Sequence, residues 1–228
     1  MKYARSVLIT LLTKGLAIPV GILASIITAR YLGPSGRGVL VLLAVIQGLA
    51  IQFGSFGFNA SITYFISRDP SSTDRVVSNT IVLAATGGTA LCAILYFAAV
   101  VAPKALLGTV DASYLHIALL GLPFVLGTQL LQNMFIGRQM TYDFNLLDLL
   151  GRFLQLIGFI ILLVILGLGT REAVWCITIA AIVTGFVTLM RVSRVTRIRF
   201  QFDRSLFRSM MQYGMRTYVA SLLMFLVM

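Results

Sequence analysis

The sequence predicts an all-α, polytopic membrane protein, a six-helix N-terminal lobe followed by the truncated start of a seventh helix. Three observations predict it. Hydrophobic residues make up 59% of the 228 and charged residues only 11%, with a mean hydropathy of +0.97, whereas soluble domains carry roughly a quarter charged residues. The apolar residues are gathered into runs that can cross hydrocarbon, which takes about 20 residues for a helix whose backbone groups must pair internally. Lys and Arg fall unevenly on the two sides of those runs, as membrane topology requires. Such runs with short loops use up the chain, so any function is expected in or between the helices.

The spans are expected at 6–29, 39–66, 76–102, 114–136, 146–168, 173–190 and 213–228. The first run is about twice the length of a secretory h-region and no Ala-x-Ala site follows it, so it is expected to be retained. Pro19 frees the Gly15 carbonyl and is expected to kink this helix. Next stands Ala29-Arg-Tyr-Leu-Gly-Pro-Ser-Gly-Arg-Gly38. Its three glycines and Pro34 are expected to stop one helix and restart another as a helical hairpin. Arg30 and Arg37 then sit where the hairpin leaves the hydrocarbon, as an anchor or as the rim of a site for something negative. Asp69-Pro70-Ser71-Ser72 ends the second span, Pro103 and Gly108 the third, Gly137-Arg138 the fourth, and Gly167-Leu-Gly169-Thr the fifth. The seventh run has 16 residues from Tyr213 to the last, short of the ~20 needed to span, so the chain reads as a fragment. The expected division is a transmembrane lobe at 1–190, a basic cytoplasmic linker at 191–212, and the start of a second lobe at 213–228.

With the N-terminus inside, the inner segments hold Lys2, Arg5, Arg68, Arg75, Arg138 and the run Arg191, Arg194, Arg197, Arg199, Arg204 and Arg208, eleven of the 18 basic residues. The outer loops hold Arg30, Arg37, Lys104 and Arg171. The N-terminus is therefore expected in the cytoplasm. The run from Arg191 to Arg208 carries topology and attracts anionic membrane lipids. No aromatic-interleaved or helix-turn-helix pattern accompanies it, so nucleic acid is not an expected partner. Residues 200–211 look amphipathic and are expected to lie on the inner surface as a connector.

Candidate functional residues are polar groups on helical stripes. Thr10, Lys14, Ala17, Gly21, Ser25 and Thr28 share one face of the first span. Lys14 lies eight residues past Ser6, roughly 12 Å along the axis, and an ammonium in a span costs about 2.5–3.5 kcal/mol on insertion. It is expected to face a polar cavity, or to have a structural partner or snorkel from a tilted helix. The second span carries Gly48, Gln52, Ser55, Asn59 and Thr63 on a like stripe, which lines a cleft or packs against other helices. Gln129, Gln132 and Asn133 cluster in the fourth span under the same alternatives. In the fifth, Asp148 and Arg152 stand four apart and are expected to pair, as a structural bridge or as a proton-sensitive or ligand-gated one.

No catalytic constellation is present. His116 is the lone histidine, and Cys92 and Cys176 lie in apolar runs without a partner at ligand spacing, so neither a metal nor another cofactor is expected. No Gly-rich phosphate loop precedes a Lys-Ser or Lys-Thr pair. The chain is not expected to be an enzyme.

Arg30-Tyr-Leu-Gly-Pro-Ser-Gly-Arg-Gly38, followed by Phe53-Gly-Ser-Phe-Gly-Phe-Asn-Ala-Ser-Ile-Thr-Tyr-Phe-Ile-Ser-Arg68, resembles the start of polysaccharide flippases of the multidrug/oligosaccharidyl-lipid/polysaccharide (MOP) exporter superfamily. Phe202-Asp203 to Tyr213-Gly214 resembles that family's linker into its seventh helix, with Arg216 departing from the commoner proline or apolar residue. The resemblance implies movement of an undecaprenyl-pyrophosphate-linked oligosaccharide from the inner to the outer leaflet of a bacterial or archaeal cell membrane, by alternating access between two lobes. It further implies a second lobe of the same protein, and polymerase or other polysaccharide-assembly proteins, as partners. On that reading Lys14, Arg30 and Arg152 meet the anionic headgroup, and Thr10, Ser25, Gln52, Ser55 and Asn59 line the cleft. Two alternatives stand beside it. A cation-coupled multidrug exporter of the same superfamily typically needs a carboxylate in the first helix, where there is none; Asp148 is the candidate in the spans. A non-transporting membrane scaffold would have its polar stripes occupied by packing.

Overall fold

The computed structural model describes residues 2–198 and 202–227, and the side chains of 10, 11, 13–198 and 202–218. The described residues form α1 (Lys2–Gly54), α2 (Phe58–Arg68), a 3-10 turn (Pro70–Ser72), α3 (Thr73–Val101), α4 (Pro103–Leu107), α5 (Ala112–Gly137), α6 (Thr141–Phe159) with a π-helical extension (Ile160–Ile165), α7 (Thr170–Val195) and α8 (Arg204–Val227). Among the described residues five helices are long and apolar enough to cross a membrane: Thr13–Gly54, Pro70–Val101, Ala112–Gly137, Thr141–Ile165 and Thr170–Val195. The chain is an all-α, multi-pass membrane protein.

The first of these is bent. Gly33 alone between residues 2 and 54 has non-helical angles, φ 67 and ψ −174. Glycine takes that positive φ without a Cβ penalty, and Pro34 then opens the second half as a first-turn residue that needs no donor. Arg37 Nη2 donates to Ser25 Oγ at 2.7 Å across twelve residues, a separation of roughly 18 Å along an unbroken helix, so the chain folds back at the bend. The expected hairpin turn at 29–38 thus contracts to one residue. Tyr31, Leu32 and Ser35 stay helical.

The second span was expected unbroken over 39–66, and here the structure corrects the reading. The helix stops at Gly54 and restarts at Phe58, with Phe56 at φ 43 and Gly57 at φ 72 between. A methyl group at Gly57 would lie 2.2 Å from the Gly214 carbonyl oxygen of α8, so glycine serves both the backbone angle and the close approach. The break stays compatible with a membrane because its backbone groups find partners, Ser55 N–H on Ile51 O at 2.8 Å and Phe58 N–H on Ser55 O at 2.7 Å. An apolar run reports compatibility with lipid; it does not report helical continuity.

α5 is the central element. Leu115, Leu122, Leu126, Leu130, Met134 and Phe135 are all fully buried against α3, α7 and α2. Long-range polar contacts fix its neighbours: Gln47 Nε2 donates to Ala118 O at 2.7 Å and Thr178 Oγ1 to Ile117 O at 3.3 Å. By contrast Leu11, Phe97 and Ile165 are exposed, as lipid-facing side chains of a span should be.

Of the amphipathic connector expected at 200–211, Phe200 and Gln201 lie outside the described residues. From Arg204 onward the chain is already α8, docked on α2. Phe207 meets Phe58 with ring centroids 5.4 Å apart, Tyr213 stacks on Tyr64 at 4.2 Å, and Ser61 Oγ donates to Met210 O. The amphipathic pattern therefore faces another helix. The side chains of α8 beyond Tyr218 lie outside the described residues.

Candidate functional site

A cavity of about 590 Å³ opens between α1 and α6, lined by Lys14, Ala17, Gly21, Ser25, Asp148 and Arg152 among others. The 3–4 residue stripe on the first half of α1 supplies one wall, and small Ala17 and Gly21 leave the space. A second cavity of about 410 Å³ lies between α5, α6 and α7, with Thr128, Gln129, Gln132, Gln155 and Thr184 in its lining. Asp148 and Arg152 line both. The pair therefore stands between a charged cleft and an amide- and hydroxyl-lined one.

Arg152 Nε lies 3.2 Å from Asp148 Oδ2, with the two side chains 49% and 48% exposed. A half-exposed i,i+4 pair of this kind contributes only about 0.3–0.5 kcal/mol in water. It can therefore open at little cost when a more highly charged anion competes for the guanidinium. Lys14 takes part in none of the three ion pairs found among the described residues. The cavity thus holds two cations against one carboxylate, a formal excess of one positive charge.

The other expected residues are placed differently. Ser25 lines the cleft and accepts from Arg37, which draws that arginine to the cleft's rim. Arg30 is exposed and lines neither cavity. Thr10 Oγ1 accepts from Asn145 Nδ2 at 3.1 Å, tying α1 to α6. Asn59 Oδ1 accepts from Asn133 Nδ2 at 3.0 Å, tying α2 to α5. Ser55 is buried in the helix break, its hydroxyl on Gln52 O at 3.1 Å. Gln52 is exposed, outside both cavities.

Two polar arrangements were not read from the sequence. Asp143, at the start of α6 and only 9% exposed, pairs with Arg191 Nε at 2.7 Å; the partners are 48 residues apart and no local spacing joins them. Asn79 on α3 is buried and bonds the backbone of Asp203 in both directions at 2.9 Å. An amide in the first turns of an apolar run was the available signal.

Fold and cavity together define an α-helical membrane lobe with a charged cleft between its helices. Residues 3–228 match the family described as "Polysaccharide biosynthesis protein", and the chain belongs to that family. Among solved structures it is similar to a multidrug resistance MATE family transporter of the MOP superfamily in an outward-facing conformation, with TM-score 0.75 and 18% identity, covering 95% of this chain and 52% of that one. A MOP superfamily transporter from Pyrococcus furiosus, described as having a binding pocket of reverse polarity that suggests a different function, matches with TM-score 0.71 and 16% identity over 95% and 52% of the two chains. A MATE protein in a straight conformation matches with TM-score 0.72 and 17% identity over 96% and 52%. The fold is thus one found in MOP-superfamily transporters, and the chain spans about half the length of the structures it matches. No curated protein matches it in sequence.

Proposed function

We propose that this chain is the N-terminal lobe of a transporter that moves lipid-linked oligosaccharides, carried on a polyprenyl diphosphate such as undecaprenyl diphosphate, across the cell membrane with its N-terminus in the cytoplasm. The observation that carries the reading is the meeting of Lys14 and Arg152 at one membrane-embedded cavity. A diphosphate leaving water needs its charge compensated, and an ammonium with a guanidinium fork is suited to do so. Arg152 releases Asp148 to take the phosphate oxygens, while Ser25 and Arg37 stand at the mouth of the same cleft. The family to which the chain belongs agrees with a polysaccharide precursor as cargo. A second lobe would close the cleft's other wall, and rocking of one lobe against the other would expose it to each leaflet in turn.

The test is export in cells. In the complete protein, Lys14→Gln with unchanged membrane expression abolishes surface polymer, whereas Lys14→Arg retains it. Normal surface polymer in the Gln variant removes Lys14 from the mechanism.

A further inference from the structure

A third cavity, of about 320 Å³, lies between α6 and α7 at the end of the bundle where α6 begins and α7 ends, and it shares only Leu147 with the lining of the two cavities above. Its apolar lining is Leu146, Leu147, Leu150, Val187 and Met190, with Leu147 buried and Leu146 and Met190 exposed, and its polar lining is Tyr142, Arg191 and Arg194. Val187 and Arg191 are four residues apart on α7, so the apolar slot runs roughly 6 Å along the helix before it meets charge. Arg191 spends only its Nε on Asp143, which leaves both terminal nitrogens of a fixed guanidinium free to donate. Arg194 enters none of the ion pairs found among the described residues, and Arg138 sits close by with Nη1 on Val195 O at 3.1 Å.

An apolar slot ending in two guanidiniums and a phenol matches an acyl chain capped by a phosphate. We propose that this groove is a binding site for an anionic glycerophospholipid, its headgroup on Arg191 and Arg194 and one chain along Leu146, Leu150, Val187 and Met190. The charge complementarity selects the anionic headgroup, because a zwitterionic one brings its own cation against Arg194. Asp143 is the positioning residue that holds Arg191. The site does not depend on the transport reading.

The experiment uses the complete protein in bilayers, with Met190→Cys carrying a bimane fluorophore. Quenching by brominated phosphatidylglycerol is compared with quenching by brominated phosphatidylcholine. The preference expected for the anionic lipid is roughly fivefold for one added basic contact near the surface. It falls to near one when Arg194→Gln is added and persists with Arg194→Lys, which also shows that the position tolerates change. Equal quenching by the two lipids, or a preference that survives Arg194→Gln, overturns the proposal. So does displacement of both lipids from the groove by undecaprenyl diphosphate, which would make it a substrate site.

Discussion

Asn79 and Asp203 exchange two backbone-to-amide hydrogen bonds of 2.9 Å each, across 124 residues. This locks the start of α8 onto the N-terminal end of α3. Asn79→Ala leaves the Asp203 N–H without its partner, while the Asp203 carbonyl keeps the Phe207 N–H at 2.9 Å; the cost is about 1–3 kcal/mol if that N–H stays dry. The expected result is faster hydrogen exchange at residues 204–210 with exchange in α5 unchanged.

The same junction responds to pH. The Leu206 N–H, then the Ser205 hydroxyl and more weakly Arg75, hold the Asp203 carboxyl below its ordinary 3.8. A carboxyl whose pKa is lower folded than unfolded stabilises fully above the unfolded value, and that contribution is lost as pH falls through the folded one. Docking of α8 should therefore be constant from neutral pH down to about 4 and loosen below it. Hydrogen exchange at 204–210, read against Asp203→Asn, checks this; the variant should show no such acid step.

The two positive-φ glycines in the first 60 residues should differ sharply. Gly33→Ala meets open space, and its cost is that of holding a residue with a Cβ at φ 67 and ψ −174, a region essentially reserved for glycine, about 1–3 kcal/mol. Gly57→Ala adds a methyl group 2.2 Å from Gly214 O, so α2 and α8 must separate. Thermal melting in detergent should rank Gly57→Ala well below Gly33→Ala.

Much of the architecture was legible because lipid imposes it. Run lengths, punctuation and the basic asymmetry gave an all-α polytopic chain, and the four-residue spacing of Asp148 and Arg152 is realised as an ion pair. What was not legible is whatever depends on distant partners. The break at 55–57 lies in close approach to Gly214 of α8, far beyond any local window. Thr10 and Asn59 stand on polar stripes like Lys14, yet bond Asn145 and Asn133. A stripe reports that a face is polar and leaves open whether another helix or water meets it.

That difference gives an accessibility pattern. Cysteines introduced at Ala17, Gly21 and Ser25, which line the cleft, should react with a water-soluble thiol reagent. At Thr10 and Asn59 they should react at least tenfold more slowly. Uniform silence at the first three positions would favour a packed scaffold.

The most direct measurement is the affinity of the purified complete protein for undecaprenyl diphosphate, set against undecaprenol. One charge-assisted hydrogen bond contributes about 1.5–3 kcal/mol, so Lys14→Gln should weaken diphosphate binding roughly 10- to 100-fold. Binding of the uncharged alcohol should be unchanged. Equal affinity of the Lys14→Gln and unaltered proteins for the diphosphate would contradict the assignment of the Lys14–Arg152 cavity as the headgroup site.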